Sequence, residues 1–313
     1  MANKARLLRI DNQPLLIQLI ISFLVVIVAG TLIFYFLIYS GSLLFGKTVE
    51  DIMSVPEAVP GVGEMFYVRY VQICQQFALF LLPSIIIMYM IKDDKESFFG
   101  LNRFPKPLTI LLVLILSLSI IPITTYTGIL NSKMVLPEMI SGIEDWMKAK
   151  EETASHLTNL LIASSGFIPL AVNIFILAVV PAFSEEMLFR GVFQRLLSGF
   201  LRSDHAGILV TAALFSTIHF QFYGFIPRLI LGLGFGYLFY LTRSLWSAII
   251  AHFVNNVIPV LVAFYTGGNL INEQLFNKGS DELRIPFIPV IIVCIVFYFL
   301  QSEYRKRKME MNS

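Results

Sequence analysis

The chain has 313 residues, 57% of them apolar and only 14% charged, and its mean hydropathy of +0.77 excludes an ordinary water-soluble domain in favour of a polytopic membrane protein. A formal net charge of +2 offers no footing for a nucleic-acid partner. Cys74 and Cys294 both sit in apolar runs and supply neither a disulfide framework nor a metal-type cysteine spacing.

About 20 apolar residues are needed to cross roughly 30 Å of hydrocarbon. Runs nearly free of charge occur in chain order at 15–39, 71–91, 108–130, 160–182, 206–222, 226–242, 244–265 and 286–301, predicting an all-α bundle of about eight transmembrane helices. The first run is too long for a signal-peptide core and lacks a small-residue cleavage site, so it reads as a span. Between the third and fourth runs, Ile140, Ile143, Trp146 and Met147 fit an amphipathic helix on the outer membrane surface, with a plain loop as the alternative. The sixth run carries Gly232, Gly234 and Gly236, which let another helix come close and predict burial within the bundle.

Loop charges give the orientation, because Lys and Arg collect on the cytoplasmic side. Lys4, Arg6 and Arg9 precede the first run; Lys92, Lys95, Arg103 and Lys106 follow the second; Arg195 and Arg202, then Arg243, then Arg305 to Lys308 mark the later loops and the tail. The intervening loops lean acidic, with Glu50, Asp51, Glu57 and Glu64 in one and Glu138, Glu144, Asp145, Glu151 and Glu152 in another. Both termini are therefore expected in the cytoplasm. Arg228 is the exception, read as a snorkelling anchor near the outer end of the sixth span. No repeat, low-complexity tract or soluble domain boundary is visible, so residues 1–313 read as a single membrane domain with its chemistry in 160–265.

Ionisable groups within a bilayer are costly and face a cavity or a partner. Glu185, His219, His252 and Asn256 stand out, on the fourth, fifth and seventh runs. If the fourth helix continues past Pro181 to about Leu197, a rise of about 1.5 Å per residue puts all four some 14 to 22 Å from the cytoplasmic turns, in one layer. His252 and Asn256, four apart, share a helix face, whereas Asn255 is turned away. Glu186 and Arg190 have the same spacing and form an expected supporting ion pair, which leaves Glu185 for chemistry. Phe215 reads as core, and His156 and His205 as solvated loop residues.

A carboxylate, two imidazoles and a carboxamide in a low-dielectric pocket suit hydrolysis by activated water: Glu185 as general base, His219 sharing or relaying the proton, and His252 and Asn256 donating to the oxyanion of a scissile carbonyl. Cofactor need is open between none and one divalent metal such as zinc, for which Glu185, His219 and His252 are a fitting ligand set. No HExxH, no G-x-S-x-G, no serine–histidine pairing and no intramembrane aspartate pair is present, which disfavours the other intramembrane protease chemistries. The alternative is a non-proteolytic membrane protein, a scaffold or a proton-coupled transporter, since transporters also bury Glu and His; the inverted repeat that would favour transport is absent.

In this order, Glu185-Glu186-x-x-x-Arg190, Phe215-x-x-x-His219 and His252-x-x-x-Asn256 resemble the motifs of the CPBP family of intramembrane proteases, which includes type II CAAX prenyl endopeptidases and bacteriocin-processing or immunity proteins. The resemblance implies the same residue roles and a membrane-associated protein or peptide as substrate within the lipid bilayer. The absence of organellar targeting features and the compact loops point to a prokaryotic plasma membrane.

Overall fold

The computed structural model describes residues 9–56, 62–91, 99–134, 137, 139, 141–162, 166–266 and 285–312. Lys4, Arg6, Glu57, Lys92, Lys95, Glu138 and Ile140, which entered the topology and surface-helix expectations, lie outside them. Every regular element among the described residues is helical.

Helix α1 runs Leu15–Phe45 and closes on Gly46 at φ 63°, a left-handed C-terminal residue that suits glycine. A single turn, α2 (Val49–Met53), follows, with Thr48 and Asp51 forming a capping box. Then come α3 (Gly63–Ile91) and α4 (Pro107–Ser132); Pro107 opens α4 where its missing N–H costs nothing. The stretch between them and the next span contains α5, Ser141–Ile162, so the amphipathic helix forms in place of a plain loop. Its last turn docks on the bundle through Leu160, Leu161 and Ile162, all buried, while Ile143 and Trp146 of the expected apolar face stay exposed.

Among the described residues, helices α6 (Phe167–Phe200), α8 (Phe225–Thr242), α9 (Leu245–Tyr265) and α10 (Phe287–Arg307, continuing to Asn312) complete seven that are long and apolar enough to cross a membrane, which makes this an integral membrane protein. The fifth apolar run differs from expectation. It forms α7 only over Asp204–Thr217, 14 residues or about 21 Å, short of a full span. Its start is set by Ser203, whose hydroxyl accepts from the Ala206 N–H. Its end falls in mid-bundle, where residues 218–224 break the helix before α8 returns.

Non-helical backbone at membrane depth persists only where protein satisfies its polar groups. Asn131 of α4 supplies two bonds, Nδ2 to the Phe222 carbonyl at 2.6 Å and Oδ1 from the Ile226 N–H at 3.4 Å. Glu151 of α5 accepts the Tyr223 N–H at 3.0 Å, and the Ser216 hydroxyl donates to the Phe225 carbonyl at 2.6 Å. Phe220 takes a left-handed φ of 51° to turn the chain, a conformation that is uncommon outside glycine.

The core centres on α6, where Ser184 to Gln194 are buried on every side, as befits a helix surrounded by others. Helix α8 lies against α7 with Gly232 facing Ala212 and Gly236 facing Ile208 so closely that a Cβ would meet them at 3.0 and 2.8 Å. The predicted burial of the glycine-rich span is thus real, and its cause is helix contact. In contrast, α1 and α10 turn Leu32, Phe36, Ile288 and Phe299 outward as a lipid-facing surface.

The basic turns gather at one end of the bundle. The Ile10 N–H reaches the Met90 carbonyl and the Leu245 N–H the Gly100 carbonyl, while Arg307 donates to the Thr242 and Leu241 carbonyls and Arg243 to the Tyr304 hydroxyl. Residues near both termini therefore share an end, with the short α7 and α8 forming a hairpin that leaves and returns to it. Cys74 and Cys294 are both unbridged.

Candidate active site

Helix α6 carries the first motif. It runs unbroken past Pro181 to Phe200, as the depth argument required, with wider π-helical turns over Phe175–Val179 and Met187–Phe193. Such turns recur at functional sites because they re-aim the side chains that follow. Glu185, Glu186 and Arg190 are all buried, Glu186 and Arg190 completely.

The two glutamates do different things. Glu186 Oε1 accepts from Arg190 Nη1 at 2.8 Å and also lies 2.8 Å from His252 Nδ1. Since a carboxylate only accepts, Nδ1 carries the imidazole proton. Nε2 of His252 is then turned towards Glu185 Oε2, 3.9 Å away. Arg190 also donates to the Gly232 carbonyl at 3.0 Å and lies over the Phe215 and Phe235 rings, at 4.9 and 5.4 Å. The expected Glu186–Arg190 pair therefore exists and additionally fixes the tautomer of His252, a link that spacing along one helix does not show.

Glu185 is held from a helix outside the three motifs. Gln76 of α3 donates Nε2 to Glu185 Oε1 at 3.0 Å, and its own Oε1 accepts the Ser184 hydroxyl at 2.7 Å. The carboxylate is thus oriented rather than free. Replacing Gln76 with Leu removes a bond to a charged group, a type worth about 1.5–3 kcal/mol. The expected outcome is a fall in turnover of about 10- to 100-fold with KM within about twofold, measured on purified Gln76→Leu protein. A KM change alone would show that Gln76 contacts substrate instead.

His219 sits just past the end of α7, on the break rather than within a fifth span. Its Nδ1 is 2.7 Å from the Phe215 carbonyl, so Nδ1–H donates and Nε2 keeps a lone pair. Phe215 stands edge-on to both imidazoles, 5.1 Å from His219 and 5.9 Å from His252; its ring is core, as expected, while its carbonyl sets a tautomer. Asn256 donates Nδ2 to the Leu177 carbonyl at 3.2 Å and accepts from Asn255 at 3.4 Å, leaving one N–H uncommitted.

Glu185, His219, His252, Asn255, Asn256 and Arg228 line one cavity of about 120 Å³, with Phe215, Leu231 and Phe235 as apolar walls. Three features depart from the sequence reading. Asn255 faces the cavity beside Asn256. Arg228, expected to snorkel, lies in the cavity wall, where its Nη2 bonds Gln221 and its Nη1 is buried with no hydrogen-bond partner. His156 is half-buried, bonded to the Pro56 carbonyl at 2.7 Å, whereas His205 is exposed as expected, with the Tyr237 hydroxyl 3.0 Å away. Below the cavity, burial pushes the Glu151 carboxyl above its ordinary range, opposed by the Tyr223 N–H and the Arg228 charge.

Among the described residues no group of three or more His, Cys, Asp or Glu side chains is placed to hold an ion. Glu185, His219 and His252 line the same cavity.

Residues 167–258 match the family model described as type II CAAX prenyl endopeptidase Rce1-like. The matched stretch runs from the start of α6 into α9 and holds all three motifs and Arg228, while Gln76, Asn131 and Glu151 lie outside it. No curated protein and no solved structure matches the chain.

Proposed function

From the match of residues 167–258 to the Rce1-like type II CAAX prenyl endopeptidase family model, which accords with the CPBP motifs, we propose that the protein is an intramembrane endopeptidase acting on a membrane-associated protein or peptide. The observation that carries this reading is the single cavity joining Glu185, His219, His252 and Asn256 from α6, the α7–α8 break and α9.

Water in the cavity gives a proton to the ionised Glu185 while its oxygen attacks the scissile carbonyl carbon. The π electrons move to the carbonyl oxygen, which becomes an oxyanion. His219, with Nδ1–H committed to Phe215, offers Nε2 as a second acceptor that orders the water and shares its proton. The free N–H of Asn256 donates to the oxyanion. His252 donates from Nε2 when it carries both protons, the Nδ1 proton being held by Glu186. Collapse of the oxyanion breaks the C–N bond, and the proton passes from Glu185 to the leaving amine. No step is routed through a metal. The charged loops favour a cytoplasmic location for both termini, and the compact loops favour a prokaryotic plasma membrane.

Comparing the membrane proteomes of cells producing the wild type and Glu185→Gln tests the reading. Proteins left untrimmed in the variant are the expected result, and identical proteomes would overturn it. Within the mechanism, Asn256→Ala should lower kcat by about 10²-fold or more with little change in binding, as loss of an oxyanion donor does. Weaker binding at unchanged kcat would remove Asn256 from that role.

A further inference from the structure

Arg228 stands in the first turn of α8, where the positive end of the helix dipole opposes a cation, and in a span, where any charge is expensive. The guanidinium rests on Gly224 so closely that a Cβ there would overlap Nη1. Among the described residues its one side-chain hydrogen-bond partner is the neutral Gln221. Among the described residues no carboxylate lies within ion-pair distance of it: Glu186 is taken by Arg190 and His252, and Glu151 spends Oε2 on the Tyr223 N–H. A buried donor without a partner costs about 1–3 kcal/mol, more when charged. Such a group in a cavity wall is placed for an anion that arrives or forms there.

Two anions come into question, a carboxylate of the substrate and the oxyanion of the reaction. Size decides between them. A cavity of about 120 Å³ is small, with room for a scissile peptide group and the attacking water and not for a drug-sized ligand. A carboxylate two residues along an extended substrate would lie about 7 Å from the scissile bond, beyond the same small space. The donor inventory agrees. Asn256 has one N–H to give, and His252 Nδ1 is committed to Glu186, whereas Arg228 Nη1 is uncommitted.

We infer that Arg228 is a catalytic residue, whose Nη1 donates a charge-assisted hydrogen bond to the oxyanion in the cavity it shares with Glu185 and Asn256. The inference rests on the endopeptidase reading. Its electrostatics follow the proton: when Glu185 accepts the water proton, its negative charge reappears on the carbonyl oxygen, and the fixed cation beside both positions stabilises the charge after the transfer as well as before it. The net charge of the cavity does not change during the step, so no counter-ion has to enter.

The test compares the wild type, Arg228→Gln and Arg228→Lys reconstituted in phospholipid vesicles. The probes are a farnesylated CAAX peptide and its phosphinate analogue, in which an anionic tetrahedral phosphorus group stands in for the oxyanion. Arg228→Gln is expected to weaken phosphinate binding by about 10²- to 10³-fold and to leave binding of the parent peptide within about twofold, with Arg228→Lys in between. Equal weakening of both probes, or of neither, overturns the inference. Turnover of Glu185→Gln is measured alongside: if it cleaves the parent peptide like the wild type, the endopeptidase reading fails, whereas loss of cleavage in Glu185→Gln together with unchanged phosphinate binding in Arg228→Gln removes only the role of Arg228.

Discussion

Replacing Glu185 with Gln is expected to lower turnover by about 10³- to 10⁴-fold, near the upper end of what a general base contributes, with the protein still folded and inserted. The geometry explains why activity and folding separate here. Gln76 donates to Glu185 Oε1 at 3.0 Å, and a glutamine carbonyl oxygen accepts that bond as well. The new amide group takes the place of Oε2, 3.9 Å from His252 Nε2, where it carries no charge to be desolvated. Among the described residues Glu185 has no arginine or lysine within ion-pair distance, and a buried charge without such a partner is costly to desolvate, so the melting temperature should hold or rise. What is lost is the acceptor for the water proton. His219→Ala should have a comparable effect on turnover, because its Nε2 is the second acceptor of the cavity. Both are checked by rates of peptide release from purified protein, and full processing by both variants would sink the assignment of a Glu/His-activated water.

Arg190→Met is expected to produce the largest loss of stability, about 3–5 kcal/mol, the usual cost of breaking a buried ion pair from one side. Neither Arg190 nor Glu186 has side-chain exposure to solvent, so the abandoned carboxylate cannot recover its hydration. The loss extends to the Gly232 carbonyl, which accepts from Nη2, and to the contacts with the Phe215 and Phe235 rings. The double change Glu186→Gln/Arg190→Met removes both charges and should regain much of the stability. Catalysis should not return with it. A glutamine still accepts from His252 Nδ1 but no longer offsets a positive imidazole, so His252 loses the partner that lets it donate from Nε2. Thermal denaturation in detergent and peptide-release rates on the same preparations read the two effects apart; a double variant as unstable as Arg190→Met would show that the charges are not the cause.

The parts of this molecule that were legible in the sequence are those where the membrane makes a residue expensive. Glu185, His219, His252 and Asn256 stand out because hydrocarbon penalises them, and helix periodicity then pairs His252 with Asn256 and Glu186 with Arg190. Gln76 escaped notice for the converse reason. It follows Gln72 and Gln75 near one end of the second apolar run, where a carboxamide is unremarkable, and its bond to Glu185 spans 109 positions. The end of α7 was hidden because Phe220, Phe222 and Tyr223 keep the run apolar, while the turn is made by a left-handed phenylalanine and by bonds from Asn131 and Glu151. A hydropathy window sees none of these. Arg228 was misplaced because a cation near the end of a span ordinarily reaches for the headgroups, and only the packing of its guanidinium on Gly224 shows that it turns inward.

Asn131 gives the arrangement a consequence for anyone who would dissect it. Its carboxamide holds the Phe222 carbonyl and the Ile226 N–H on either side of the turn that follows His219, yet it belongs to a helix that precedes the matched region by several dozen positions. The motif-bearing segment is therefore not a portable cassette. Grafted into another bundle or expressed by itself, residues 167–258 would bring every motif and leave behind the side chain that keeps the broken helix in shape, so homology boundaries drawn around the motifs mark where the chemistry is written and not where the working unit ends.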